Sequence, residues 1–452
     1  MNRLTENLSG WGRYPVAQCG LLRPERHKGL GGLSAEGGIA RGQGRSYGDA
    51  ALNQDGAVLL TERLNRLSAF DSERGTVTAE SGLTLRELLD VVVPRGWFPL
   101  VTPGTGYVSL GGCIAADVHG KNHHHDGAFS RSVLEFELFD ADGAVRTCSP
   151  DVQSEAFNAT MGGMGLTGVI GDVTLQLRPV ETAWIQAQHA PARDLEQALT
   201  FLQDNEHDAR YSVAWIDLQS RGRALGRSVV MTGEHAVRDA LPAAHRADPL
   251  QLKLRGERNV PLDMPGWLLN PLTIRAFNAL YYRLEGRKTS PFIVGYDKFF
   301  YPLDALGHWN RLYGKRGFVQ YQCVVPLEQA HETLRQLLDA LAASGHAAFL
   351  GVLKRLGAAS AGQLAFSMPG YTLALDLPFG GAATLELLQR FDEIVLAHGG
   401  RVYLAKDARL SAESFRQMYP RYDEWLAVKQ TLDPQGRFSS SLSRRLGIGE
   451  PS

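Results

Sequence analysis

The sequence predicts an α+β protein of two domains, and three observations carry that reading. The chain has 452 residues, enough for two cores of ordinary domain size. From Gly38 to about Arg178 it is rich in glycine and in short β-type runs, with one amphipathic helix among them. From Phe318 to Ala405 it reads strand, helix, strand, strand, helix, strand, a split-βαβ order that yields an antiparallel sheet with helices on one face.

In the first part, AVLL at 57–60, TVTAESG at 76–82 and VTLQLRP at 173–179 are the strand candidates. TLRELLDVVVPRG between them has apolar residues at helical spacing, Thr84 placed as an N-cap and Gly96 at its end. The texture changes between Glu181 and Asp217, where helix-like DLEQALTFLQDNEH precedes strand-like ARYSVAWIDL, and a second domain is expected to begin there. Residues 260–288 are proline-interrupted and set Trp, Leu, Phe and Tyr beside Arg and Lys, which reads as a helical hairpin in the core or as a lipid-facing flap. In the last part, FVQYQCVVP, AAFLGVLKRL, YTLALDLPF and RVYLAKDA are the strands, separated by LEQAHETLRQLLDALAASG and TLELLQRFDEIVLAHGG as the helices. No internal repeat is visible in the sequence.

Composition narrows the function. A net charge of -1 and the lack of any Lys/Arg run with interleaved aromatics argue against a nucleic-acid partner. The four cysteines, Cys19, Cys113, Cys148 and Cys323, are scattered without CxxC pairs, so neither a disulfide framework nor a thiolate zinc site is expected. The N-terminal residues lack the apolar core of a signal peptide and no apolar run approaches a membrane span. A cytoplasmic location is expected, with peripheral contact to the inner membrane or a periplasmic position left open.

Three glycine loops carry the chemistry. GGIARGQGRSYGDAA at 37–51 offers Gly42, Gly44 and Gly48 in a tight loop where backbone N–H groups can approach phosphate. Its GxGxxxG spacing is followed by DAALNQDGAVLL and no amphipathic helix, so it is not a Rossmann fingerprint. VTPGTGYVSLGGCIAADVHGKNHHH at 101–125 and MGGMGLTGVIGDV at 161–173 add further turns. Together they favour a large phosphate-bearing cofactor. His119, His123, His124 and His125 with Asp126 also suggest a metal, but adjacent histidines point in different directions on a regular element and a single-metal site is the minor reading.

With these loops in hand, the sequence resembles the FAD-dependent oxidases and dehydrogenases of the vanillyl-alcohol oxidase fold. Within them it is most similar to the branch that acts on polyprenyl-phosphoryl ribose. The resemblance rests on GRSYGD at 44–49, PGT at 103–105, HGKNHH at 119–124, GLTG at 165–168, SVAWID at 212–217, QYQ at 320–322, YLAKDAR at 403–409, MYPR at 418–421 and RFSSSLSRRL at 437–446. It implies a split, PCMH-type FAD-binding domain formed by residues 1–182 and 400–452, with a substrate domain of 183–399 between them. It implies FAD against Ala40, Arg41, Gly42, Gln43, Gly44, Arg45, Ser46, Tyr47, Gly48, Asp49 and Ala50. Gly104, Ser109, Leu110, Gly111, Gly112, Ala116, Asp117, Val118, His119, Ile170 and Tyr403 would line the rest of the cofactor. Many members attach flavin through a histidine in the first glycine loop; Arg45, Ser46 and Tyr47 stand there, so the FAD is expected to be non-covalent. No metal is implied.

The same resemblance places Lys406, His119, Gln322 and Lys121 at the reacting centre, and Gln320, Lys354, Trp215, Phe300, Thr372 and Ala374 around substrate. Phe300, Thr372 and Ala374 depart from relatives, which carry tyrosine, asparagine and a cysteine that covalent nitroaromatic inhibitors attack. The implied reaction oxidises the 2'-hydroxyl of a polyprenyl-phosphoryl pentose to a ketone, with a short-chain reductase completing epimerisation to the arabinose and quinone or oxygen as electron acceptor. An aldonolactone or alditol oxidase using oxygen is the alternative. A lysine can stabilise negative charge on reduced flavin or, desolvated, act as base; His119 is a base candidate or a structural histidine. Read as a strand, YLAKDA puts Lys406 on the side opposite Ala405 and Asp407, and its plain structural role would be a salt bridge with Asp407 or Asp376.

Overall fold

The computed structural model describes residues 4–34, 36–205, 207–253, 258–266 and 269–449. β1 (Leu4–Ser9), β2 (Val16–Leu22), β3 (Ile39–Arg41) and β4 (Ala57–Leu60) form one sheet in the order β1-β2-β4-β3, parallel about β4. A second, antiparallel sheet is built from β5 (Leu67–Asp71), β6 (Thr76–Glu80), β7 (Trp97–Pro99), β8 (Val133–Phe139), β9 (Val145–Cys148) and β10 (Val169–Pro179), with β6 and β8 flanking β10. α1 (Leu85–Val92) starts where expected: Thr84 Oγ1 accepts from Glu87 N, and Glu87 accepts from Thr84 N in return. A short 3-10 turn carries it to Gly96, which takes φ 81. α2 (Leu110–Ala115) follows the second glycine loop.

The large sheet contains a repeat that the sequence does not display. Its first half runs β11 (Trp184–Ala192), α3 (Leu195–Asp204), β12 (Tyr211–Ile216), β13 (Ser228–His235), α4 (Pro271–Glu285), β14 (Phe292–Gly295). Its second half runs β15 (Phe318–Pro326), α5 (Ala330–Ser344), β16 (Gly351–Leu356), β17 (Gly370–Pro378), α6 (Ala382–Ala397), β18 (Arg401–Val402). The order β14-β11-β13-β12-β16-β17-β15-β18 is two βαββαβ units, each 4-1-3-2, joined through antiparallel β12 and β16. Residue identity is free to drift while the alternation of apolar residues that fixes each register persists, which is why the repeat escaped reading.

α3, α5 and α6 cover one face through Leu195, Leu202, Leu334, Leu337, Leu388 and Phe391. α4 does not follow its counterpart α6; it lies on the other face, where Tyr281 meets the Trp215 ring at 4.7 Å and Asn278 Nδ2 donates to Asp217 Oδ1 at 2.6 Å. Among the described residues, 260–288 holds a single helix, α4, at the surface with a buried seam, and not a core hairpin; Trp267 and Leu268 of that segment lie outside the described residues. A second correction concerns YLAKDA. Only Arg401 and Val402 pair as strand, and 403–407 is a turn in which Lys406 N donates to Tyr403 O at 2.9 Å. Beyond the turn, Asp407 Oδ1 accepts from Arg409 N and Leu410 N and keeps the backbone curled.

The C-terminal residues return to the first two sheets. Gly38 N donates to Arg437 O, Ser441 N to Leu52 O, and Lys429 Nζ to Leu166 O. Helix α7 (Ser441–Arg445) ends this return. Among the described residues, no helix is long and apolar enough to cross a membrane.

Candidate active site

A cavity of about 510 Å³ lies between the glycine loops and the face of the large sheet opposite α3, α5 and α6. From the first loop, Ala40, Gly42, Gln43, Gly44, Arg45, Ser46, Tyr47 and Ala50 line it. Three residues assigned to that wall stand behind it. Arg41 is turned away, its guanidinium donating to Ser9 O and Ala51 O. Gly48 packs against the Asp407 carbonyl, where an added Cβ would lie 1.7 Å away. Asp49 is drawn into an ion pair with Arg445 at 2.7 Å.

From the second and third loops, Gly104, Ser109, Gly111, Gly112, Ala116, Val118, His119 and Ile170 line the cavity, joined by Tyr403. Leu110 points into the core with no exposure, because the short helix turns its Cβ inward. Asp117, at φ 39, turns its carboxylate back to accept from Ser130 N at 3.0 Å. Two of these glycines differ in what holds them. A Cβ at Gly42 would sit 2.1 Å from Ser109 Oγ, whereas one at Gly104 meets nothing within 4 Å and would project into the cavity.

The polar floor comes from alternation in the large sheet. Gln320 and Gln322 on β15, Lys354 on β16, Thr372 and Ala374 on β17 and Trp215 on β12 all face the cavity, as period-2 geometry demands. Tyr321, between the two glutamines, faces the helices and donates to Asp392. Gln322 Nε2 donates to His119 Nε2 at 2.9 Å and to Thr372 Oγ1 at 3.1 Å. The imidazole proton then sits on Nδ1, which is buried without a protein partner among the described residues. Burial, followed by Lys354, His123 and Lys406, holds His119 well below the ordinary imidazole range, so it is neutral. Phe300 closes one side and packs on Phe98 and Tyr211.

Three lysines share this space. Lys406 Nζ lies 3.9 Å over the Tyr47 ring; burial lowers it to about 7, against a raising effect of Asp376 and a further lowering by Lys354. Lys121 donates to Phe299 O and is brought down to about 7 by burial and by Lys354. Lys354 falls to about 8 through burial alone. Cations this depressed regain their protons when an anion enters beside them.

The Lys406 turn is locked to the first glycine loop. Tyr47 N donates to Ala405 O at 3.0 Å, and Arg445 from α7 bridges Asp49 and Asp407 at 2.7 and 2.8 Å. The histidine run spreads as its geometry requires: Gly357 N donates to His123 Nδ1, His124 Nε2 contacts Ala209 O at 2.9 Å, and His125 pairs with Asp126. Sequence reading missed Phe277 and Tyr281 on α4 and gave Asp376 no functional part; Phe277 and Tyr281 line the cavity. Aromatic residues four apart on a helix were a signal for the first two. The sequence offers Asp376, beside Asp407, only as a salt-bridge partner for Lys406.

The site fits a large dinucleotide. Glycines bring bare backbone to one wall, the space at Gly104 is open, and an orphaned imidazole nitrogen and three lysines face in from the floor. This combination is that of a flavin-dependent oxidoreductase. Comparison with known proteins agrees. Residues 38–149 match an FAD binding domain family, and 314–446 match the D-arabinono-1,4-lactone oxidase family. The chain is 39% identical to decaprenylphosphoryl-β-D-ribose oxidase of Mycolicibacterium smegmatis over 98% of both chains. It is 24% identical to L-gulono-1,4-lactone dehydrogenase of Mycobacterium tuberculosis over 97% of this chain and 98% of the other. With L-gulonolactone oxidase of Scyliorhinus torazame it shares 25% identity over 88% of this chain and 86% of the other. The chain belongs to the vanillyl-alcohol-oxidase-type family of FAD-dependent oxidoreductases, in the branch of decaprenylphosphoryl-β-D-ribose oxidase.

Proposed function

We propose that this enzyme oxidises the 2'-hydroxyl of a polyprenyl-phosphoryl ribose, or a close pentose relative, to the 2-keto sugar. The observation that carries the reading is the cavity itself, where glycine walls face Lys406, Lys121, Lys354, His119 and Gln322. FAD, when bound, supplies the hydride acceptor. Residues 1–182 with 400–452 would hold it, and 183–399 would hold the substrate. Gly42, Gly44, Gly104, Gly111 and Gly112 would let backbone approach the phosphates, and with no histidine at 45–47 the cofactor would be held without a covalent bond.

Lys406 is the residue assigned to the reacting centre, as a cation opposite developing negative charge or as the base for the departing hydroxyl proton. His119, neutral and oriented by Gln322, is the other acceptor for that proton. Lys121 and Lys354 suit an anionic phosphodiester. Gln320, Trp215, Phe300, Thr372 and Ala374 shape the remainder of the sugar pocket.

α4 supports contact with a lipid surface. Leu272, Leu280 and Leu284 are 75%, 57% and 50% exposed, a concentration that water does not favour, and Arg275, Arg283, Arg287 and Lys288 stand beside them. A quinone is the acceptor that suits this placement, and a short-chain reductase acting on the keto sugar would complete the epimerisation.

Anaerobic addition of a polyprenyl-phosphoryl ribose tests the proposal. The flavin band near ~450 nm bleaches if it is correct, and persists if it is wrong. The matches to lactone oxidases over 314–446 favour a second reading, a sugar-lactone or alditol oxidase. That enzyme would bleach with small soluble sugars and release peroxide in air.

A further inference from the structure

We propose that Asp376 is a positioning residue for Lys406, a buried carboxylate that supplies the counter-charge in an otherwise cationic cavity. This rests on Lys406 acting at the reacting centre. Asp376 has no exposure. On β17 it follows Thr372 and Ala374 on the same face, two residues apart each time, so it extends the row that lines the cavity. Its ligands are neutral: Gln320 Nε2 donates to Oδ1 at 2.5 Å and Tyr313 OH to Oδ2 at 3.4 Å. A carboxylate buried with only an amide and a phenol is costly, and no structural ion pair among the described residues accounts for it. What it acts on is Lys406.

The groups around Lys406 fix the direction of the effect. Lys354 from β16 repels it, and the Tyr47 ring from the first glycine loop lies under Nζ. His119, from the loop after α2, is neutral. Gln320 and Gln322 from β15 carry no charge. Asp407, next in sequence, is taken up by Arg445. Asp376 alone raises Lys406 toward protonation, and Lys406 in turn lowers Asp376, which burial pushes up to about 7. Gln320 ties the two together, since its amide holds Asp376 and it lines, with Lys406, one small space.

Removing the carboxylate therefore lowers the Lys406 titration further. Whichever role the lysine has, the limb of the pH profile that it governs moves to lower pH, by about one unit, the low end of what a nearby opposite charge contributes. If Lys406 works as a cation, activity is lost earlier on the alkaline side. If it works as a base, activity persists further on the acid side.

The test compares wild type, Asp376→Asn, Asp376→Glu and Tyr313→Phe as purified holoenzymes. Two quantities are followed against pH: the rate of flavin bleaching by polyprenyl-phosphoryl ribose, and the flavin midpoint potential measured with dithionite and a reference dye. The break in the potential curve is expected near neutral pH in wild type and about one unit lower in Asp376→Asn. Asp376→Glu should restore most of it, and Tyr313→Phe, which weakens the carboxylate's support, should move it less in the same direction. Unchanged breaks in flavin-loaded Asp376→Asn and Tyr313→Phe, with only a lower rate, would overturn the proposal. If Asp376→Asn loses flavin, the Tyr313→Phe curve decides. The potential needs no substrate, so a wild type that ribose lipid fails to bleach refutes the substrate reading while the potential curves still decide on Asp376.

Discussion

Replacing Arg445 with methionine should uncouple the Lys406 turn from the first glycine loop. Arg445 makes three charge-assisted hydrogen bonds, from Nε and Nη2 to Asp49 and from Nη2 to Asp407, and a fourth from Nη1 to Leu410 O. Both carboxylates are buried, at 6% and 1% side-chain exposure. Removing one partner from such a set leaves uncompensated charge, which costs about 3–5 kcal/mol. At roughly 2 °C per kcal/mol for a large domain, the thermal midpoint should fall by about 6–10 °C. Burial raises Asp407, but Arg445 and Arg409 outweigh it and hold it below the ordinary carboxylate value. A depressed acid contributes stability above its unfolded pKa and loses it as pH falls through the folded one. The part of the gap that Asp407 contributes should therefore be full at pH 7 and close below about pH 4. The assay is flavin fluorescence during a thermal ramp at both pH values, with Asp407→Asn and the double variant completing a cycle. The double variant should recover about 1–3 kcal/mol of the summed losses. A midpoint change under 1 °C, or strictly additive losses, would refute the bridge.

Gly42→Ala should abolish flavin uptake while the chain still folds, because its Cβ would sit 2.1 Å from Ser109 Oγ; absorbance of the purified protein checks this, and a normally yellow variant contradicts the glycine wall. Heat or acid precipitation of the wild type should leave all FAD in the supernatant, and a coloured pellet would mean a covalent link. Ala374→Cys places a thiol in the cavity beside Gln322, its partner across the strands. It should make the enzyme sensitive to thiol-bonding nitroaromatic compounds that leave wild type active, as mass spectrometry of the adduct would record.

Legibility followed how local each determinant is. The α1 cap, the α3 helix, the β15 to β17 strands and the glycine turns each depend on residues adjacent in sequence, and those were readable. The residues forming the floor were named through family likeness, and their common face is a consequence of strand alternation. What failed was what another segment decides. YLAKDA has strand composition, yet Tyr47 N from the first glycine loop takes the Ala405 carbonyl and the backbone turns there. Arg41, Gly48 and Asp49 sit in a phosphate-loop sequence, yet Ser9, Asp407 and Arg445 claim them. The duplication is held in strand order, which no local pattern records.

That duplication also explains why the cavity has two characters. The units meet through their second strands, β12 and β16, which places the faces of both halves side by side. The first half supplies Val213, Trp215 and Met231, and its displaced helix α4 adds Phe277 and Tyr281. The second half supplies Gln320, Gln322, Lys354 and Thr372, next to the glycine loops. One end is thus apolar and roofed by α4, and the other is polar and cationic. Had α4 taken the position of α6, the apolar end would lie open and the helix would be buried among α3 and α5. Moving it across the sheet creates a roof whose inner residues touch the cavity and whose outer leucines face solvent. A ligand with a phosphorylated sugar at one end and a hydrocarbon chain at the other suits this division. Under the proposed function the chain would leave beneath α4, and the outer leucines of that helix would be the ones to meet a lipid surface.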